Sequence, residues 1–350
     1  MSSSKRIAIV SLLGAAGLLS PQPTGAAIYH VELIGPPAGA PASSFATDLL
    51  SGGGVLGYAA DGAFDPLAVP FAARGGSYLP LSMPTGSLNF PMGGPKPNLI
   101  VGSSSNRPVA WRKGKSKFLR PAGGLGSGFA FDASASGAIC GAVYNDLTGA
   151  QFPAFWSEGS ALGVQLPGAP GLSPEGSAFA INTSGRIAGA TGGVFGGFQG
   201  ARWDQPDREP VLMGSLPGAM NSEALDLNDA GDLVGRSSFP NGDTEAVRFV
   251  AATGMLEGLG FLNGNYGVAQ GINNLGDIVG TATAGTVNHA FLWQGGVMQD
   301  LNDLVGSSTE PFDYLSNAVA IDDAGRIAAE AMVTTATGPV TRIAVLVPAP

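Results

Sequence analysis

Short alternations of apolar and small or polar residues dominate this chain, and each set ends at a glycine-bearing turn. In Ser177-Ala-Phe-Ala-Ile-Asn182-Thr-Ser-Gly185-Arg-Ile-Ala-Gly189, Phe179 and Ile181 alternate with Ala178 and Ala180. That period of two predicts a strand with two unlike faces. Asn182-Thr-Ser-Gly185 places a turn-initiating Asn first and Gly where a positive φ is needed, which predicts a type I turn with a bulge glycine leading into a second strand. The frame recurs from Glu223 to Gly235, from Val268 to Gly280 and from Asn317 to Ala329, with a blunter copy from Ala130 to Gly141. Its anchors Gly137, Gly185, Gly231, Gly276 and Gly325 return every 45 to 49 residues, the length of one β-propeller blade.

Two fainter copies precede these, Ala46 to Gly57 and Asn98 to Gly102, bringing the number of units to seven. An aromatic follows each of the first six anchors, at Phe71, Trp111, Trp156, Trp203, Phe249 and Trp293, with Ile343 in the last copy. A short apolar patch such as Val211-Leu-Met213 then closes the unit. Ala46, Ala130, Ala178, Ala224, Ala269 and Ala318 share one slot, and a repeated small residue at one depth suits an innermost strand crowded around an axis. The last unit runs out after its third strand, whereas Tyr29-His-Val31-Glu-Leu33 stands unused ahead of the first. The expected fold is therefore all-β, a seven-bladed propeller of four-stranded antiparallel blades, with the N-terminal strand completing the last blade. A linear solenoid would leave both ends unpaired.

Composition narrows the function. At 44% hydrophobic and 12% charged the chain can build a core, and its 55 Gly and 26 Pro lack a Gly-X-Y register, so dense turns replace collagen. The net charge of -9 disfavours nucleic acid and anionic membranes as partners. Residues 1–26 carry Lys5-Arg6, a 13-residue apolar run from Ile7 to Leu19 and small residues at Gly25-Ala26, the layout of a secretory signal peptide. That run is shorter than the ~20 residues needed to span a bilayer. Residues 27–350 then form one secreted propeller domain, with no membrane span after signal removal. A lone Cys140 makes no internal disulfide, and two His leave little for metal chemistry, so neither cofactor nor metal is expected.

The units resemble the HAF repeat, an extracellular repeat family of bacterial secreted proteins. Ala269 to Gly280, His289-Ala-Phe-Leu-Trp293 and Met298-Gln-Asp-Leu301 carry its three elements in order. The likeness is clear from about Ala130 to Ala329 and loose before that. The His that names the repeat occurs only at His289; Glu245 and Gln199 stand in its place in neighbouring units. Members often end in a Pro-Glu-Pro sorting signal with an apolar tail, which the terminal Val347-Pro-Ala-Pro350 does not match. The resemblance implies the fold and an extracellular address, at the cell surface if a sorting tail is missing from this sequence, and no established activity.

Candidate chemistry is sparse. The tryptophans occupy a fixed strand position and are expected in the blade core. Cys140 shares a slot with Ala188 and Val234, so it is expected to be buried. Asp226 to Asp232 superficially matches a calcium loop without its closing Glu, and the hairpin already explains it. Asp48, Asp132 and Asp226 share a slot on the inner strand; they either bond neighbouring backbone, the favoured reading, or point into the channel as acid pairs of a polysaccharide-acting glycosidase or lyase. The loops joining second to third strands, and each unit to the next, vary most. They carry Phe195, Phe198, Asn265, Tyr266, Phe312 and Tyr314, aromatic and amide groups that suit a sugar or a protein surface. The leading expectation is a non-catalytic propeller that binds or scaffolds an extracellular polysaccharide or protein, with Asp132 and Asp226 also among the candidate contacts.

Overall fold

The computed structural model describes residues 29–61, 65, 67–84, 89–96, 99–121, 126–192 and 197–349. Residues 1–26, expected as a signal peptide, and Asn98 and Phe195 lie outside them. A strand β1 (Tyr29–Ile34) precedes six antiparallel four-stranded blades in simple sequential order. Blade 1 is β2 (Ser43–Leu50), β3 (Gly54–Ala60), β4 (Val69–Arg74) and β5 (Ser77–Pro80); blade 2 is β6 (Asn89–Lys96), β7 (Leu99–Ser104), β8 (Arg107–Arg112) and β9 (Lys115–Phe118). Blade 3 is β10 (Ser127–Ala133), β11 (Ile139–Tyr144), β12 (Gln151–Trp156) and β13 (Val164–Gln165). Blade 4 is β14 (Gly176–Ile181), β15 (Ile187–Thr191), β16 (Gln199–Trp203) and β17 (Val211–Gly214). Blade 5 is β18 (Asn221–Leu227), β19 (Leu233–Ser238), β20 (Thr244–Val250) and β21 (Met255–Gly258); blade 6 is β22 (Gly267–Ile272), β23 (Ile278–Ala284), β24 (Val287–Gln294) and β25 (Val297–Asp300).

A 3-10 turn (Leu301–Leu304) leads to β26 (Val305–Ser308), and blade 7 follows as β27 (Tyr314–Ile321), β28 (Ile327–Thr335) and β29 (Gly338–Pro348). Strand β1 pairs antiparallel with β29, from Tyr29 opposite Pro348 to Ile34 opposite Ile343, so the N-terminal strand closes the ring. One feature differs from the four-strand expectation. β26 adds to β1 in parallel, giving this blade a fifth, outermost strand that covers the β1 edge. No helix among the described residues is long and apolar enough to cross a membrane.

The core is a ring of seven blade interfaces, each with its own apolar cluster. Leu50 and Leu56 of blade 1 meet Ile100 and Trp111 of blade 2, for example, and Ala46 and Phe71 meet Ile343 and Val345 of blade 7. The third-strand aromatics fill these interfaces: Phe71, Trp111, Trp156 and Trp203 are fully buried. Each of those three indoles also donates to a carbonyl in the segment leaving the preceding blade, Trp111 to Ser82 at 2.6 Å, Trp156 to Arg120 at 3.0 Å and Trp203 to Pro167 at 2.8 Å. Trp293 is only half-buried, with the Arg248 guanidinium 5.9 Å from its ring centroid. Cys140 is fully buried between blades 3 and 4.

Two glycines of the frame answer to different constraints. Anchors such as Gly185 and Gly231 adopt φ of 84° and 88°, as their turns demand. The second glycine lies opposite the inner strand, where every blade carries a one-residue bulge, for instance between Ala224 and Asp226. The inner backbone closes on it: a Cβ on Gly235 would stand 1.9 Å from the Glu223 carbonyl oxygen, whereas blade 7, with the same bulge, admits Ala329 in that slot.

Candidate functional site

The inner-strand bulge also decides what the channel acids do. The residue after it reads Asp48, Gly93, Asp132, Ala180, Asp226, Gly271 and Ala320 around the ring. Each Asp caps its own strand and reaches the next blade. Asp226 accepts from Leu227 N at 2.8 Å through Oδ1 and from Ile272 N at 2.9 Å through Oδ2. Asp132 accepts from Ala133 N at 2.6 Å and Ile181 N at 3.0 Å, and Asp48 from Leu49 N at 2.7 Å and Gly94 N at 3.1 Å. The favoured backbone-bonding reading is therefore what the geometry shows, with the neighbouring blade as partner. The small residues between them leave room, since a Cβ on Gly93 would lie 3.0 Å from Asp132 Oδ1.

These carboxyls lie deep in the molecule yet stay half-open to the channel. Loss of hydration pushes all three up, Asp226 to about 7, Asp132 to about 6 and Asp48 well above its usual range, and mutual repulsion adds to the effect at Asp226 and Asp48. The backbone donors pull the other way and lose.

A cavity of about 320 Å³ opens beneath them where the hairpins converge, lined by Asp48, Asp132, Asn182, Asp229, Asn274 and Asp323. Its wall is a ladder. Asn182 Nδ2 donates to the Asn228 carbonyl at 3.0 Å, Asn228 to Asn273 at 3.4 Å and Asn273 to Asp322 at 3.1 Å, while each Oδ1 caps its own hairpin. Only an amide serves both needs, which accounts for Asn in the repeated turn. Asp322, the last rung, turns its second oxygen to Arg326 at 2.5 Å. A parallel ladder runs through Asp229, Asn274 and Asp323. No cluster able to hold a metal ion exists among the described residues.

The loop candidates sit at the opposite end of the strands, at three successive blade junctions. Phe198 is half-buried and joins blades 4 and 5 through its backbone, its N–H donating to Asn221 Oδ1 at 3.0 Å. Asn265 is exposed and donates to Asp243 at 2.6 Å, and half-buried Tyr266 accepts from Thr283 N at 2.9 Å. Phe312 packs against the interface of blades 6 and 7. Tyr314 lies 5.4 Å, centroid to centroid, from His289, whose Nδ1 is 2.6 Å from Asp300. His30 bonds Ser307 on the far edge of blade 7, away from His289. Asp132 and Asp226, near the hairpin ends of their strands, are not brought together with these aromatics.

Sequence reasoning missed a second aromatic group on blades 1 to 3. Phe45 stacks on Tyr58 at 5.2 Å, Tyr58 meets Phe90 edge-on at 5.4 Å, and Phe129 contacts both Phe131 and Tyr144 at 5.9 Å. All are half-buried. The slots of Phe45 and Phe129 hold Glu223 and Asn317 in blades 5 and 7, a contrast visible by aligning the repeats.

No family model matches this chain, and no curated protein matches it either. Solved structures share its fold. A puromycin-hydrolysing peptidase of Mycobacterium tuberculosis is similar over 81% of this chain and 49% of its own, at 13% identity and a TM-score of 0.54. A structure from a study of two prolyl endopeptidases is similar over 88% of this chain and 50% of its own, at 8% identity and 0.53. A GH74 enzyme of Niastella koreensis is similar over 91% and 43%, at 13% and 0.50. This chain thus spans about half the length of those proteins, and at such identities the likeness shows the fold alone.

Proposed function

We propose that this chain is a secreted, non-catalytic propeller of the HAF-repeat type that binds or scaffolds an extracellular polysaccharide or protein. One observation carries the reading. Both oxygens of Asp48, Asp132 and Asp226 accept backbone N–H groups, so the channel carboxyls are engaged in joining blades instead of standing free as an acid and base beside a substrate bond. The loop face, by contrast, differs from blade to blade and carries aromatic and amide groups beyond the needs of the frame.

The test is to incubate the pure protein with a panel of glycans and surface proteins, measuring binding and reducing ends together. Binding without new reducing ends supports the proposal, and reducing ends lost on Asp226→Asn would replace it with the glycosidase or lyase reading. Replacing Phe198, Tyr266 and Tyr314 with Ala should weaken binding at least ~10-fold with little change in melting temperature.

A further inference from the structure

A cavity of about 230 Å³ opens on the loop face between blades 2 and 3, lined by Asn106, Ser127, Phe129, Tyr144, Asn145 and Asp146, with Gly149 at its edge. None of the residues proposed above belongs to it. Its aromatic wall is the edge-to-face pair of Phe129 and Tyr144, with rings 73° apart. Tyr144 is not a framework residue: the same slot holds Ala60, Ser105, Gly192, Ser238, Thr283 and Met332 in the other blades.

The polar wall is held by hydrogen bonds within its own loop. The loop from Asn145 to Ala150 braces itself, with Asn145 N donating to the Ala150 carbonyl at 2.8 Å, Gly149 N to the Asn145 carbonyl at 2.8 Å and Leu147 N to Asn145 Oδ1 at 3.0 Å. Ser127 Oγ donates to Asp146 Oδ1 at 2.5 Å, which fixes the carboxylate. Gly126 makes room for it, since a Cβ there would stand 2.0 Å from Oδ2. Among the described residues, Asp146 Oδ2, the Asn145 amide nitrogen, the Asn106 side chain and the Tyr144 hydroxyl have no hydrogen-bond partner, although the groups around them are satisfied. The same loop carries Leu147 at its tip, 97% exposed.

We infer that this cavity binds one ring of a neutral saccharide. Aromatic surface beside an unpaired carboxylate oxygen and amide groups suits a pyranose, whose C–H face packs on a ring while its hydroxyls donate to the carboxylate and accept from amides. The volume is that of a single ring rather than a chain, so the polymer would lie across the loop face with one unit inserted. Among the described residues Asp146 is the only charged side chain lining the cavity, and the protein carries -9 overall, so uronate polymers are repelled. The inference rests on the binding role proposed above and names the ligand class and place.

The experiment is calorimetric titration of the full chain with cellohexaose, xylohexaose, chitohexaose and, as the anionic comparator, hexagalacturonate, with cadaverine as a cation control. At least one neutral hexasaccharide should bind, and both Tyr144→Ala and Asp146→Ala should weaken it at least ~10-fold with melting temperatures close to the parent. Asp146 is exposed, so its variant remains informative if Tyr144→Ala does not fold. Binding that survives Asp146→Ala but is lost on Tyr266→Ala overturns this site and leaves the binding role standing. Tighter binding of hexagalacturonate, binding of cadaverine alone, or no binding of any neutral hexasaccharide overturns the saccharide assignment. The binding role then rests on the protein arm of its own panel.

Discussion

The Asp226 carboxyl offers a direct measure of which force governs the channel. Burial sets its folded value at about 7 against an ordinary 3.8, despite two backbone donors. An acid whose pKa rises on folding holds its proton more tightly in the native state, so stability falls as pH climbs between the two values and levels off above 7. Linkage gives a loss of about 2.5 kcal/mol between pH 5 and pH 8 for a fully buried group. The carboxyl is half-open to the channel, and water there cuts the loss to about 1 kcal/mol, or ~2 °C of melting temperature for a chain this size. Asp226→Asn removes the charge and keeps one acceptor, so the variant should gain ~2 °C relative to the parent as pH goes from 5 to 8. Comparing the two proteins at each pH cancels the titrating groups that Asp226 does not reach, and relief of its repulsion on Asp48 acts in the same direction. Melting followed by circular dichroism at four pH values suffices. A variant whose melting temperature runs parallel to the parent's from pH 5 to 8 would show that the Leu227 and Ile272 donors outweigh burial and that the carboxyl is already ionised at pH 5.

Gly235→Ala, whose Cβ would meet the Glu223 carbonyl, should cost about 3 kcal/mol or more, whereas Gly185→Ala, with φ of 84° and open space around it, should cost about 1 kcal/mol. Equal costs in urea unfolding would refute the close-approach argument. Trp203→Phe should lose about 1–2 kcal/mol by orphaning the Pro167 carbonyl, and Trp293→Phe, half-buried, less. Deleting Tyr29–Ile34 uncovers the β29 edge along Ile343 to Pro348 and should lower the melting temperature by roughly 10 °C or cause aggregation. An unchanged melt would mean the ring closes elsewhere.

Blades 4 to 6 were legible because their turns combine an Asn that caps the hairpin with a Gly of positive φ, both local requirements that leave a local trace. Blade 1 reads faintly for the same reason: Leu50-Ser-Gly-Gly53 keeps the glycine, with φ of 94°, but lacks the Asn. The second glycine of the frame was visible as a pattern while its cause was not, because the Glu223 carbonyl meets Gly235 only once another strand is laid beside it. The β26 strand left no signal, since a parallel pair between Val305 and Tyr29 has no sequence neighbourhood to shape. The candidate contacts followed the same division. Loop residues were readable as departures from the frame, but Tyr144 and Asp146 become a cavity only when blade 2 is placed beside blade 3.

The channel acids show how an odd number of blades limits a pairwise device. Asp48, Asp132 and Asp226 each reach forward to a blade whose own slot is small, Gly93, Ala180 and Gly271, so the scheme needs alternate blades. Seven blades cannot alternate throughout, and the break falls at Ala320 in blade 7, next to Asp48. An Asp at 320 would set two buried carboxyls on adjacent inner strands, each raising the other. The seam between blades 7 and 1 uses no carboxyl among the described residues: Ile343 N donates to Ser44 Oγ at 3.1 Å, Thr341 N to Ser43 Oγ at 3.3 Å, and the Arg342 guanidinium to the Ala42 carbonyl. Ser44 Oγ in turn donates to the Ile34 carbonyl at 2.9 Å, at the end of the closing strand. The seam where the first and last described strands meet is thus held by β1 and a hydroxyl relay, which leaves the three carboxyls to clamp the remaining blades in pairs.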